Sequence, residues 1–203
     1  KEMVWAARRT RNLLVGAQGC TLHHFIWNSI KVHLGALSPC PFPRSGGGGV
    51  EENEIIGANM VRTETPVCDF GRPAPDFRLK GVDGKIWTLK EAGGKHGLLV
   101  MFICNHCPYV KSVRDRIIRD ARELEELGIH SVAIMSNDPA DYPEDSFDNM
   151  KQVAQELHFP FPYLYDETQE IAKAYGAVCT PDFFGYNKDL KLQYRGRLDE
   201  SRK

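Results

Sequence analysis

Long apolar stretches are missing from this sequence. No apolar run among its 203 residues approaches the roughly 18 residues that a membrane-spanning helix needs. A strong excess of one charge is missing too, because 26 Lys and Arg residues nearly balance 27 Asp and Glu residues. The resulting net charge of −1 gives no indication of binding to nucleic acid or to an anionic membrane surface. We therefore expect neither of these as a partner.

Cysteine is scarce. Six cysteines in 203 residues are too few for a small secreted scaffold held together by disulfides. A second CxxC motif is absent from the sequence. What the sequence does contain is one close pair, Cys104 and Cys107, separated by Asn105 and His106. This spacing is typical of thiol–disulfide redox sites.

The first 59 residues differ in composition from the rest. Residues 1–49 contain six Lys and Arg residues and one acid, Glu2, and they end in a stretch rich in Pro and Gly that is typical of a linker. We expect residues 1–59 to be a low-order N-terminal extension, either non-native or a targeting segment, and residues 60–203 to form one domain. If Met60 is the true start, we expect a cytoplasmic protein. A native extension would indicate export or an organelle.

From Met60 onward, strand patterns alternate with helix patterns. Asp83-Gly84 between two short apolar runs, ending in Ile86–Leu89, predicts a hairpin. The continuous apolar run over residues 97–103 predicts a strand buried on both faces. Apolar residues at helical spacing from Val110 to Leu127 predict a helix that begins at Pro108 and is ended by Gly128.

The remaining elements complete an α/β pattern. We predict a strand over 131–135, a helix capped by Asp145 or Ser146, a strand over 161–165, a helix capped by Thr168, and a hairpin over 183–195. This order predicts an α/β fold with a mixed central sheet flanked by helices. The chain stops just after the last hairpin, so we expect a C-terminal helix to be missing. We expect Arg195 and Arg197 to pair with surface acids.

The CxxC motif lies where a buried strand ends and a helix begins. Cys107 directly precedes Pro108 and so occupies the helix N-cap, where free backbone amides and the helix dipole favour a thiolate. We therefore predict Cys107 as the nucleophile, with Cys104 as its resolving partner or as a neighbour that tunes it. Two alternatives remain: half of a zinc site completed by His106 and Cys179, or two buried structural cysteines.

Three further positions are candidate site residues. Thr180-Pro181 precedes a predicted strand, and an X-Pro bond at such a place can be cis. Cys179 is either a third redox thiol or a buried cysteine at the strand edge. His106 either stabilises the Cys107 thiolate when protonated or is a solvated loop residue.

Several strings together resemble the thioredoxin-like superfamily, and more closely its peroxiredoxin-related AhpC/TSA (redoxin) branch. The strings are Ala74-Pro75-Asp76-Phe77, Val82-Asp83-Gly84-Lys85, Phe102-Ile103-Cys104-Asn105-His106-Cys107-Pro108-Tyr109-Val110-Lys111, Tyr163-Leu164-Tyr165-Asp166-Glu167-Thr168-Gln169 and Thr180-Pro181. The string from Cys104 to Val110 is similar to that of a group of bacterial thioredoxin family proteins. The resemblance implies a thioredoxin fold with an N-terminal hairpin extension, in which Thr180-Pro181 forms a cis-proline loop packed against the CxxC.

The resemblance leaves the reaction open. In a gap-free match Cys107 falls on the first thioredoxin cysteine, whereas Cys107-Pro108 also looks like the peroxidatic Cys-Pro of peroxiredoxins. Met101 falls where thioredoxins carry a buried acid. We expect a thiol–disulfide oxidoreductase acting on a protein disulfide or dithiol. The alternatives are a thiol peroxidase acting on a peroxide, resolved by Cys104 or Cys179, and a non-catalytic metal-binding or redox-sensing module. We expect no cofactor, and the sequence does not predict an oligomeric state.

Overall fold

The computed structural model describes residues 69–198 of the chain. The expectations for residues 1–59 and for a missing C-terminal helix concern parts of the chain outside this range, and they stay predictions. Among the described residues, no helix combines the length and the apolar character needed to cross a bilayer.

An antiparallel hairpin opens the described chain. Strands β1 (Arg78–Gly81) and β2 (Ile86–Thr88) pair around the predicted turn. Gly84 has a φ of 82°, a left-handed conformation that glycine adopts without strain. A short helix, α1 (Leu89–Ala92), follows where the sequence predicted that the strand continues to Leu89. Thr88 and Glu91 form a reciprocal capping box that begins this helix.

A mixed sheet of seven strands forms the centre of the fold. Three parallel strands, β3 (Gly97–Phe102), β4 (Ile129–Met135) and β5 (Tyr163–Tyr165), make its middle. The closing hairpin, β6 (Asp182–Asn187) and β7 (Leu192–Gly196), pairs antiparallel through β6 to β3. The strand order is β2-β1-β5-β4-β3-β6-β7. The predicted mixed α/β sheet is therefore confirmed, and all six residues of β3 are buried as the apolar run predicted.

Helices cover both faces of this sheet. The longest, α2 (Pro108–Glu126), joins β3 to β4, and its buried side chains, such as Val113 and Leu124, share one apolar core with residues of β3, β4 and α3 (Phe147–Glu156). The other face is covered by α1 and by α4 (Glu170–Tyr175). Leu127, expected on the apolar stripe of α2, is 38% exposed because the helix ends one residue earlier.

Two predicted helix caps and one predicted ion pair hold only in part, since Ser146 is the N-cap residue of α3 as one alternative predicted. The N-cap of α4 is Gln169 rather than Thr168, although the Thr168 hydroxyl accepts the N–H of Glu170 at 3.4 Å. The carboxylate of Asp166 accepts the N–H groups of Ile171 and Ala172. The Ser146 side chain at the N-cap of α3 makes no capping bond. Arg195 was expected to pair with a surface acid. It lies 3.6 Å from the buried carboxylate of Asp182, because β7 directs it across the sheet edge toward β6.

Substituting Leu124 by Ala should destabilise the protein strongly. Leu124 is fully buried, and truncating a buried Leu to Ala costs about 2–5 kcal/mol because it removes apolar contacts and leaves a cavity. Leu127→Ala provides a matched control, since it makes the same chemical change at the exposed end of the same helix. Urea unfolding measures both free energies. Equal losses in the two variants would contradict the described packing of α2.

Candidate active site

The two cysteines lie in the connection from β3 to α2. Cys107 is the N-cap residue of α2 and Pro108 is its first residue, as predicted. Cys104 and Cys107 are only 2% and 8% exposed, and both are free thiols. The site is thus described in its reduced form, with two thiols covered from solvent at the N-terminus of the longest helix.

The loop before β6 packs directly against this pair. The Thr180-Pro181 bond is cis, as the resemblance implied. The Cys104 Sγ atom lies 3.2 Å from the Thr180 hydroxyl oxygen, and the Cys107 Sγ atom lies 3.4 Å from the Thr180 carbonyl oxygen. The predicted proximity of this loop to the CxxC is confirmed. The roles of these residues in a reaction stay proposals.

The two thiols have opposite acidity. A hydrogen bond from Cys104 lowers the pKa of Cys107 to about 5, and the backbone amides of Val110 and Tyr109 contribute to the lowering. Burial acts against this shift. The pKa of Cys104 is raised well above its ordinary value, because its proton is held in the bond to Cys107 and because the thiol is buried. The direction agrees with the sequence prediction that Cys107 is the more acidic thiol.

A buried carboxylate lies beneath the loop that separates the cysteines. Asp145 is fully buried and its Oδ1 atom accepts the backbone N–H groups of Asn105 at 2.7 Å and His106 at 3.2 Å. Its Oδ2 atom lies 2.6 Å from His106 Nδ1 and accepts from Asn137 Nδ2 at 2.9 Å. The expectation that Asp145 caps α3 is therefore wrong. Its carboxylate instead turns toward the CxxC loop, where four donors offset the cost of burying a charge.

His106 is held in place rather than solvated. Its ring stacks on Tyr142 with 3.8 Å between ring centroids and an interplanar angle of 5°, while Nδ1 contacts Asp145. The interpretation of His106 as a solvated loop residue is wrong. Asn105 is fixed as well, since it donates to the Glu144 carbonyl oxygen and accepts from the Tyr163 hydroxyl.

Sequence reasoning missed Asp145 and Asn137 as site residues. Asp145 is separated from His106 by 39 residues, so no local spacing connects them. One signal was present. Ser136-Asn137-Asp138 directly follows β4, and parallel neighbouring strands bring their carboxyl ends to the same edge of a sheet, where ligands and sites collect.

The described residues contain one cluster of potential metal ligands. Candidate ligand atoms of Cys104, His106 and Asp145 all lie within 4.8 Å of one another. Four hydrogen bonds already engage the Asp145 carboxylate, so the arrangement is that of a hydrogen-bonded network. Cys179, the other zinc ligand considered from the sequence, is exposed and does not belong to this cluster.

Cys179 lies on the surface beside the cis-proline loop. Its exposure shows that the interpretation as a buried strand-edge cysteine is wrong. Its pKa is raised by partial loss of solvation and by the nearby charge of Asp182. Cys179 is thus a protonated thiol near the CxxC at neutral pH.

The sheet order, the cysteine pair at a helix N-terminus and the facing cis-proline loop define a thioredoxin-fold thiol protein. Residues 70–195 match the AhpC/TSA family. The chain belongs to this family.

Named relatives of two kinds are similar to this chain. It is 25% identical to the thiol-disulfide oxidoreductase ResA of Bacillus thuringiensis subsp. konkukian, over 64% of this chain and 70% of that protein. It is 26% identical to the chloroplastic peroxiredoxin Q of Populus jackii, over 57% of this chain and 49% of that protein. A crystal structure of an uncharacterized conserved protein from Geobacillus kaustophilus is 54% identical and has a TM-score of 0.64, covering 66% of this chain and 71% of that one. The family and these relatives confirm the expectation of a thiol-dependent redox enzyme.

The low pKa of Cys107 should depend on the proton that Cys104 donates. A hydrogen bond to a charged group contributes about 1.5–3 kcal/mol, so removing it in Cys104→Ala should raise the Cys107 pKa by about 1–2 units. Cys104→Ser is the matched control, because its hydroxyl still donates, and it should shift the pKa less. Rates of Cys107 alkylation against pH, read by peptide mass spectrometry, measure each value. An unchanged Cys107 pKa in Cys104→Ala would contradict the described bond.

Proposed function

We propose that this protein catalyses dithiol–disulfide exchange with Cys107 as the nucleophile and Cys104 as the resolving cysteine. The observation that carries the proposal is the pair of buried thiols at the N-terminus of α2, both in contact with Thr180 of the cis-proline loop. Cys104 holds a proton that stabilises the Cys107 thiolate. Cys107 is therefore the attacking sulfur, and Cys104 lies beside it as the resolving thiol. A thiolate of this kind is the attacking species in exchange.

The chemistry proceeds in two displacements. The Cys107 thiolate attacks one sulfur of a partner disulfide, breaks that bond and releases one partner thiolate, which leaves a mixed disulfide on Cys107. Cys104 then loses its proton and attacks Cys107 Sγ, which releases the second partner thiolate. The partner gains two electrons and the CxxC loses two as it forms its own disulfide. The Thr180 carbonyl and hydroxyl oxygens contact the two sulfurs and orient them.

The partner is proposed to be a protein disulfide or dithiol. The site supports this because the two thiols lie beside the backbone of the cis-proline loop and the 46%-exposed ring of Tyr109 adjoins them on α2, a surface that an extended peptide can reach. The reverse reaction, which begins with a disulfide between Cys104 and Cys107, would oxidise a partner dithiol. The cytoplasmic location stays a prediction.

Two serine variants test the order of attack. Cys107→Ser should abolish turnover of a protein disulfide, because the nucleophile is gone. Cys104→Ser should stop after the first displacement and accumulate a covalent adduct at Cys107, which mass spectrometry detects. Cys179→Ser is the control outside the pair and should retain the two-step reaction. An adduct at Cys104 or Cys179 in place of Cys107 would overturn the assignment.

Peroxide reduction is a second candidate function. It is favoured by Cys107-Pro108 at a helix N-terminus, by the Cys107 pKa of about 5, and by the exposed Cys179 beside the site. The Cys107 thiolate would attack a peroxide oxygen, break the O–O bond, and become a sulfenic acid while an alcohol or water leaves. Condensation with the thiol of Cys104 or Cys179 would then form a disulfide and release water.

Peroxide kinetics separate the two candidates. If the protein is a peroxidase, the reduced chain should consume hydrogen peroxide far faster than a free thiol does, and trapping of sulfenic acid should label Cys107. Cys107→Ser removes both signals, whereas Cys104→Ser and Cys179→Ser show which thiol condenses. Consumption no faster than that of free cysteine at the same thiolate concentration would exclude this function.

A further inference from the structure

We propose that His106, positioned by Asp145, is the base that removes the proton from Cys104 when Cys104 resolves the mixed disulfide. This inference rests on the proposed exchange reaction and assigns the proton transfer in its second displacement.

Cys104 needs such a base because of where it lies. Its thiol is 2% exposed, and a thiol must lose its proton before it attacks a disulfide. In the reduced protein the neighbouring Cys107 sulfur can accept this proton, and the pKa of Cys104 is raised. Once Cys107 is bonded to the partner, its sulfur carries no negative charge and that acceptor is lost. The hydroxyl of Thr180 also contacts Cys104, but a hydroxyl is a weak base.

The imidazole of His106 lies within reach of this proton. A ring nitrogen of His106, a carboxylate oxygen of Asp145 and Cys104 Sγ are separated by no more than 4.8 Å. A separation of this size allows proton transfer through one bridging water or after a small rotation of the thiol. Direct hydrogen bonding between Cys104 and the imidazole is not required in the resting state.

Asp145 prepares the ring for this role. Its Oδ2 atom lies 2.6 Å from Nδ1, so the carboxylate and the ring form one hydrogen-bonded unit beside Cys104. Its negative charge balances the imidazolium that forms. Tyr142 stacks flat on the ring and Asn137 donates to the same Oδ2 atom of Asp145, so ring and carboxylate are both fixed. Asp145 acts through His106 and is a positioning residue.

The neighbouring tyrosines and the exposed acids of the adjoining loop do not supply this function. Tyr163 is fully buried, and burial raises its pKa well above its ordinary value, so it stays neutral. Tyr142 presents its ring face to the imidazole. Three acids in the loop between β4 and α3 are exposed rather than packed beneath the CxxC, namely Asp138, Asp141 and Glu144.

The proton and electron balance is complete within this step. The proton leaves Cys104 and resides on the imidazole. Cys104 Sγ then bonds to Cys107 Sγ, the bond from Cys107 to the partner sulfur breaks, and the electron pair leaves with the partner thiolate. That thiolate takes the proton back from the imidazolium or from water. The partner disulfide is the oxidant throughout.

A coloured aromatic disulfide resolves the two displacements in one experiment. Attack by Cys107 releases one equivalent of coloured thiolate, and resolution by Cys104 releases the second. The full chain is used with the four cysteines outside the CxxC changed to Ser, so that only Cys104 and Cys107 react. Rapid mixing across a range of pH records the rate of each phase. His106→Gln is the main variant and His106→Asn is a shorter neutral replacement.

The second phase should slow by roughly 10–100-fold in both His106 variants, because general bases commonly contribute rate factors of this order or more. Its rate should then rise about tenfold per pH unit, since hydroxide must remove the proton, whereas the parent rate levels off. Asp145→Asn should change the pH profile of the second phase in the same direction. His130→Gln, an exposed histidine at the start of β4, is the matched control and should leave both phases unchanged.

The outcomes separate this inference from the proposed function. A second phase with parental rate and pH profile in both His106 variants overturns the inference while the exchange function stands. Absence of the first phase from the parent protein itself overturns the exchange function. Slowing of the first phase alone would place His106 with the Cys107 thiolate and overturn its assignment to Cys104.

Discussion

The burial of one carboxylate organises the redox end of this fold. Asp145 comes from the segment between β4 and α3, and its two oxygens accept four donors from the CxxC loop and from the end of β4. A buried charge without partners is strongly unfavourable, so the loop must adopt the conformation that supplies these donors. The same conformation sets Cys107 at the N-terminus of α2. The position of the acidic thiol therefore depends on a residue 38 positions later in the chain, the separation between Cys107 and Asp145.

The asymmetry of the two thiols follows from this arrangement. Both are buried, and burial alone would raise the pKa of each. The pKa of Cys107 is lowered instead, because the proton of Cys104 and the backbone amides at the start of α2 face its sulfur. The hydrogen bond to Cys107 and burial raise the pKa of Cys104 above its ordinary value, and the Asp145 charge adds to this rise, so Cys104 keeps its proton. The pair thus contains one nucleophile, Cys107, and one protonated thiol, Cys104. Cys104 needs a base before it can attack, and it lies beside His106, which Asp145 holds in place.

Local sequence rules predicted the elements that depend on local chemistry. The hairpin at Asp83-Gly84, the buried run of β3 and the start of α2 at Pro108 follow from turn, burial and cap preferences, and the cysteine spacing located the site. Helix α1 was not predicted, although Thr88-x-x-Glu91 is a capping-box pattern, because the apolar run of β2 continues to Leu89 in the sequence. The roles of Asp145 and His106 were not predictable in this way. An acid just before a helix normally caps it. In the folded protein the loop packs against the end of β4, and the Asp145 carboxylate turns toward the CxxC loop instead.

The central claim is that the resting site holds one thiolate on Cys107 and one proton on Cys104. The ultraviolet absorbance of thiolate at neutral pH tests it most directly, as a difference between the reduced parent protein and its Cys107→Ser variant. We predict a difference of about one thiolate per molecule, because a thiol with a pKa of about 5 is ionised at neutral pH, and no comparable signal from Cys104 in the Cys107→Ser protein. An absorbance that is unchanged by Cys107→Ser would contradict the account.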